Sequence, residues 1–251
     1  MTLSTTKKVL LISAYSVLVI GFIFFENTNQ IKSKDFPNKE LLGAAIVAIP
    51  KNIALTFDDG PYGTSTEKIL DILKKENVRA TFFVIGKNVE KFSTTTKRII
   101  AEGHLIGNHS YDHAKNLPEM STSTFKINTE KAESAIFLQT DLKPKIFRPP
   151  YGNITPQMYQ KLKEAGYTSV LWNVDAKDWD FEHTSTADIE NKIINDTKPN
   201  SIILLHDGRD TKINYPRTNL IDALPVIIEQ LKKEGYNFVT VDKLENIKPY
   251  F

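Results

Sequence analysis

From Lys51 onward the chain alternates short apolar runs with amphipathic segments, and a polar cluster follows most of the apolar runs. Residues 53–57, 80–85, 104–108, 146–148, 168–172, 201–205 and 238–241 read as strands. Residues 66–76, 97–102, 123–138, 156–165, 187–196 and 225–234 read as helices. The first helix places Ile69, Leu70, Ile72 and Leu73 on one face, and Gly103, Gly166 and Gly235 punctuate helix ends. Strand–helix alternation of this kind specifies a parallel sheet. No Gly-x-Gly-x-x-Gly follows the first strand, which argues against an open dinucleotide fold. Asp58-Asp59, His109, Arg148, Asp175 with Asp178, and His206 each fall just after a strand. A barrel collects all its strand C-termini around one mouth, whereas an open sheet would spread these residues along a line. The expected fold class is therefore α/β, a (β/α) barrel of parallel strands.

Of the 251 residues, 32 are basic and 30 acidic, so there is no electrostatic footprint for nucleic acid. The absence of cysteine excludes thiolate zinc sites, thiol nucleophiles and disulfides. Lys7 and Lys8 precede an uncharged run from Val9 to Phe25, and Glu26 follows it. The run sits at the lower limit for crossing a bilayer, and no small-x-small cleavage site follows directly. The charge order favours a cytoplasmic N-terminus. The expected organisation is a cytoplasmic tail over residues 1–8, a transmembrane signal anchor over 9–25, a linker over 26–50 and a catalytic domain over 51–251. A lead-in strand is expected at 42–49, and a cleaved signal peptide is the competing reading of the anchor.

Five clusters carry the chemistry. Asp58 and Asp59 are adjacent carboxylates, which resist joint ionisation unless a cation lies nearby. His109 and His113 are spaced i, i+4, which on a helical turn puts both rings on one side. One carboxylate and two imidazoles form a ligand set for a borderline divalent metal, with a coordination position left open and a second carboxylate as base. In Arg148-Pro149-Pro150-Tyr151, the prolines fix the turn, so Tyr151 offers the first free backbone N–H as an oxyanion donor. Trp179, after Asp175 and Asp178, suits stacking on a sugar. His206 ends a buried apolar strand. His104 and His183 do not follow strands and read as structural or solvent-facing.

These five motifs, in order, resemble the polysaccharide deacetylase family (carbohydrate esterase family four, the NodB-homology domain) across residues 50–245. Thr56-Phe57-Asp58-Asp59-Gly60, His109 to His113, Arg148-Pro149-Pro150-Tyr151, Asp175 to Trp179 and Leu204-Leu205-His206 carry the likeness. The resemblance implies a distorted (β/α) barrel with one divalent metal held by Asp59, His109 and His113. Zinc leads among the candidate metals, with cobalt, nickel and manganese as alternatives. It also implies Asp58 as general base, Arg148 as the group holding it, and His206 as general acid. Asp178 would pair with Arg148 or His206, and Trp179 and Leu204 would line the acetyl pocket beside Tyr151.

The resulting expectation is a monomeric hydrolase that removes N-acetyl groups from N-acetylglucosamine in cell-wall peptidoglycan. It would be tethered to the cell membrane with its catalytic domain outside. Pro61 after the first motif resembles the N-acetylglucosamine and chitin-oligomer branch of the family. Chitooligosaccharide deacetylase and xylan O-acetyl esterase are the alternative enzymes. A wall-binding module without activity would be expected to lack a base, acid or ligand, and none is missing here.

Overall fold

The computed structural model describes residues 50–210 and 217–251. The expected tail, signal anchor, linker and lead-in strand lie outside the described residues. Among the described residues no helix is long and apolar enough to cross a membrane.

The strands are β1 (Lys51–Asp58), β2 (Thr81–Val84), β3 (Leu105–Asn108), β4 (Ile146–Phe147), β5 (Thr168–Ser169), β6 (Val174–Asp175), β7 (Ile202–His206) and β8 (Tyr236–Phe238). The α-helices are α1 (Gly63–Lys75), α2 (Gly86–Lys91), α3 (Ser93–Ala101), α4 (Thr122–Thr140), α5 (Pro156–Glu164), α6 (Thr186–Asp196), α7 (Thr218–Lys233) and α8 (Val241–Glu245). The sheet order is β5-β4-β3-β2-β1-β7-β6, with β8 pairing the start of β1, and every one of these ladders is parallel. Chain order therefore runs around a ring from β1 to β5 and resumes at β6 and β7, which returns to β1. Among the described residues no ladder joins β5 to β6, so the sheet is a curled, incompletely closed barrel.

Alternation along the strands shows the two faces. Ile53, Leu55 and Phe57 of β1, Phe82 and Val84 of β2, and Ile203 and Leu205 of β7 pack outward against helices α1, α6 and α7. Ala54, Phe83, Leu105 and Ile202 pack in a separate inner cluster with Ile146 and Val170. Continuous burial along β1 after Asn52 is what a parallel strand covered on both faces requires. Helix α7 contributes Leu220, Ala223, Leu224, Ile227, Ile228 and Leu231 to the outer core. Each such Leu or Ile contributes roughly 1.5–3 kcal/mol by leaving water. Helix α6 starts with a reciprocal capping box between Ser185 and Asp188.

Several elements differ from the sequence expectation. Helix α2 and strand β6 were not anticipated. The strand expected over 168–172 is only Thr168–Ser169, because the chain then leaves the sheet at the open seam. The last strand ends at Phe238, and Val241 opens α8. Pro225 does not start its helix but sits inside α7, where the burial of the flanking apolar face outweighs one missing N–H.

Candidate active site

A cavity of about 460 Å³ opens at the C-terminal ends of the strands, lined by Asp58, Asp59, His109, His113, Tyr151, Trp172, Trp179, Leu204 and His206 among others. The convergence expected of a barrel is thus present. Asp58 ends β1 and is registered against Phe83 of β2 and His206 of β7. Asp59 follows with φ 74°. That left-handed backbone breaks the strand alternation, so two consecutive carboxylates reach the same mouth.

His109 follows β3, and its Nδ1 lies 2.7 Å from the Arg148 carbonyl oxygen. A carbonyl can only accept, so Nδ1 carries the proton and Nε2 keeps its lone pair toward Asp59. His113 does not share a helical turn with it. The segment is a loop in which Ser110 (φ 69°) and His113 (φ 55°) are left-handed. The Ser110 hydroxyl accepts the His113 N–H at 3.0 Å, and the Asn108 side chain accepts the Ser110 N–H at 2.8 Å. The loop still brings the two rings to a centroid distance of 5.0 Å.

Asp59 Oδ1 lies 3.5 Å from His109 Nε2 and 3.2 Å from His113 Nε2. One donor atom from each of the three residues lies within 4.8 Å of the others. Asp59 Oδ1 is buried and has no hydrogen-bond partner. A buried carboxylate oxygen in that condition is costly unless something else pairs with it, and a divalent cation suits this one-oxygen, two-nitrogen set. Burial pushes the Asp59 carboxyl up, but the facing imidazole of His109, with those of His113 and His206, outweighs it. The group is held well below the usual carboxylate range. Burial, reinforced by His109, pushes His113 down and favours the neutral ring that a metal needs.

Arg148 lies behind Asp58 and is completely buried. Its Nη1 donates to Asp58 Oδ1 at 2.8 Å and to Thr56 Oγ1 at 2.7 Å. Its Nε and Nη2 donate to the carbonyls of Val170 and Leu171 at 3.1 and 3.2 Å. The guanidinium also rests 4.1 Å from the Phe83 ring centroid. Burial lowers its pKa and the Asp58 charge opposes that shift. Arg148 therefore fixes Asp58 and ties the end of β1 to the segment that leaves β5.

Across the mouth, His206 Nδ1 lies 2.8 Å from Asp178 Oδ1, and Asp178 Oδ2 accepts the His206 backbone N–H at 2.9 Å. Asp178 thus pairs with His206. Asp175 instead accepts the Lys177 N–H at 2.8 Å. Burial pulls the His206 pKa down, but the Asp178 charge and hydrogen bond overcome it and raise it. Tyr151 sits at φ 60° in a 3₁₀ turn, half exposed, with its ring 4.5 Å from that of His113. Leu204 is buried and Trp179 is largely exposed at the rim. The histidines left out of the site stay out: His104 is buried and accepts the Ala80 N–H at 3.1 Å, and His183 is exposed beside Asp180.

The polysaccharide deacetylase sequence profile matches residues 47–170. A peptidoglycan-N-acetylglucosamine deacetylase of Bacillus cereus is 40% identical over 192 residues, 76% of this chain and 67% of the relative. A second one from the same organism is 37% identical over 204 residues, 80% of this chain and 92% of its own. The chain belongs to the polysaccharide deacetylase family. The crystal structure of the Bc1960 peptidoglycan N-acetylglucosamine deacetylase superimposes with a TM-score of 0.74 at 38% identity, covering 80% of this chain and 90% of that one. The curled parallel sheet is accordingly the barrel of this deacetylase family.

The deacetylase mouth also holds residues that no motif announced. Trp172 lines the cavity from the seam, with its ring 5.5 Å from the Arg148 guanidinium. Asp207 is fully buried and accepts the Thr66 hydroxyl at 2.6 Å. Burial pushes its carboxyl up to about 7. Gly60 is obligatory here, since a Cβ on it would lie 1.9 Å from the Asp207 carboxylate. Buried Arg217 donates to the carbonyls of Asp178 and Gly208. Asn88 donates to the Asp59 carbonyl at 2.7 Å. Only Asp207 had a visible signal, as an acid beside His206.

Proposed function

We propose that this deacetylase removes N-acetyl groups from N-acetylglucosamine residues of peptidoglycan, leaving glucosamine and acetate. One observation carries the reading: buried, unpartnered Asp59 Oδ1 faces His109 Nε2 and His113 Nε2 between two separate proton-handling pairs, Asp58–Arg148 and His206–Asp178. The glycan assignment rests on the relatives named peptidoglycan-N-acetylglucosamine deacetylases.

A divalent cation held by Asp59, His109 and His113, with zinc the leading choice, would supply Lewis acidity to the acetamide carbonyl and lower the pKa of an attacking water. Asp58 accepts the proton of that water, and its carboxylate is aimed by Arg148. The backbone N–H of Tyr151 would serve as the donor to the developing oxyanion. His206, whose imidazolium form Asp178 favours, gives a proton to the departing amine, because an amide nitrogen leaves poorly unless protonated. Leu204 and Trp179 wall the acetyl group, and the exposed indole is placed to stack on the sugar. Since the base, acid and ligand set are all present, this arrangement favours an enzyme over a wall-binding module.

The test is acetate release from peptidoglycan, N-acetylchitooligomers and acetylated xylan by protein stripped with chelator and resupplied with single metals. Release from N-acetylated glycans only after metal return is expected. Activity that survives complete stripping would overturn the ligand set, and release from xylan alone would overturn the substrate. We further propose that the full chain is anchored through residues 9–25 with its catalytic domain outside the cell membrane, supported by the lysines before the apolar run. Fractionation of expressing cells, with protease applied from outside, should place the protein in the membrane fraction and digest its domain.

A further inference from the structure

Two of the three ligand side chains, Asp59 and His113, converge on one residue outside every motif. The Asp210 backbone N–H donates to Asp59 Oδ2 at 2.9 Å. Its carboxylate Oδ1 lies 3.5 Å from His113 Nδ1. Its carbonyl accepts Asn88 Nδ2 at 3.2 Å, and the same amide group holds the Asp59 carbonyl at 2.7 Å. His113 Nδ1 is itself buried and makes no hydrogen bond of its own. Asp210 lies four residues beyond His206 at φ 52°, a left-handed conformation that Asp and Asn tolerate best among residues with a side chain.

We propose that Asp210 is a positioning residue for the metal site, orienting both the Asp59 carboxylate and the His113 ring. This rests on the ligand assignment given under Proposed function. With Nε2 of His113 turned toward the cation, Nδ1 carries the ring proton, and a carboxylate facing that N–H fixes the tautomer and raises the basicity of Nε2. Asp59 uses Oδ1 toward the histidines and needs Oδ2 restrained, which the Asp210 N–H does. His109 already has its own restraint in the Arg148 carbonyl. Asp210 gives His113 the counterpart, so each ligand is gripped from behind.

The experiment compares the parent with Asp210→Gly and Asp210→Asn. Glycine keeps the left-handed backbone and its N–H but removes the carboxylate; asparagine keeps an acceptor without charge. Zinc affinity of chelator-stripped protein is measured calorimetrically, alongside thermal midpoints with and without zinc. The expected result is a 10- to 100-fold loss of affinity for Asp210→Gly, an intermediate loss for Asp210→Asn, and unchanged metal-free midpoints. Equal affinity in all three proteins would overturn the proposal while leaving the ligand set intact. A fall in the metal-free midpoint with affinity unchanged would also overturn it, by making Asp210 a structural residue only. A parent that takes up no zinc would remove both this proposal and the reading it rests on.

Discussion

Asp58 and His206, the proposed base and acid, line opposite sides of the mouth, and each is held by one neighbour. Arg148 holds Asp58 in place, so Asp58→Asn preserves the shape and hydrogen-bond geometry while removing the proton acceptor. Acetate release should fall by about 10²- to 10⁴-fold, while zinc affinity measured calorimetrically stays that of the parent. Undiminished turnover would exclude Asp58 as the base. For His206, the Asp178 charge raises the pKa against burial and favours the imidazolium that the proposed acid role needs. Removing that charge in Asp178→Asn lowers it, so the basic limb of the kcat–pH profile should move to lower pH. The same sign holds for stability. A raised folded-state pKa stabilises the fold at pH below the unfolded imidazole value, and the gain fades as pH rises through the folded value. A basic limb left in place would detach His206 from the acid role.

The open seam between β5 and β6 is where strand geometry and chemistry meet. Ladder hydrogen bonds are missing there, and Arg148 supplies donors to Val170 and Leu171 while facing the Asp58 carboxylate. Arg148→Met should therefore destabilise the fold by about 3–5 kcal/mol, because it leaves a buried carboxylate uncompensated. Urea unfolding checks this, and an unchanged midpoint would show that the seam stands without the guanidinium. The same region marks how far the sequence could be read. Asp58, Asp59, His109 and His206 were legible because each stands at the end of a buried apolar run, and His113 because of its spacing from His109. The parallel core strands were legible for the same reason. The 168–172 run yields only a two-residue strand, since five strand-like residues do not reveal that the Arg148 side chain, just past β4, takes the Val170 and Leu171 carbonyls. The histidine loop was misread as helical because i, i+4 spacing cannot report the positive φ of Ser110 and His113. Asp210 and Arg217 were missed because their roles come from where a loop lies, not from a local pattern.

Asp207 connects the mouth to the stability of the fold. It is wedged against Gly60 and bonded to Thr66 of α1, and burial raises its carboxyl to about 7. A carboxyl raised in the folded state stabilises the fold below its unfolded pKa, and that contribution is lost as pH climbs through about 7. Asp207→Asn, neutral at every pH, should flatten the decline in melting temperature between about pH 4 and 8. A slope identical to that of the parent would rule out this linkage. Strand β1 has a different consequence. It pairs with β2, β7 and β8, more partners than any other strand among the described residues, and it ends in Asp58, the proposed base. Its amides should be the slowest of the fold to exchange with deuterium, opening only when everything opens. The Asp58 carboxylate would then hang from the last thread to unravel: warming should leave turnover intact until the fold collapses outright, with no dead but still compact form in between.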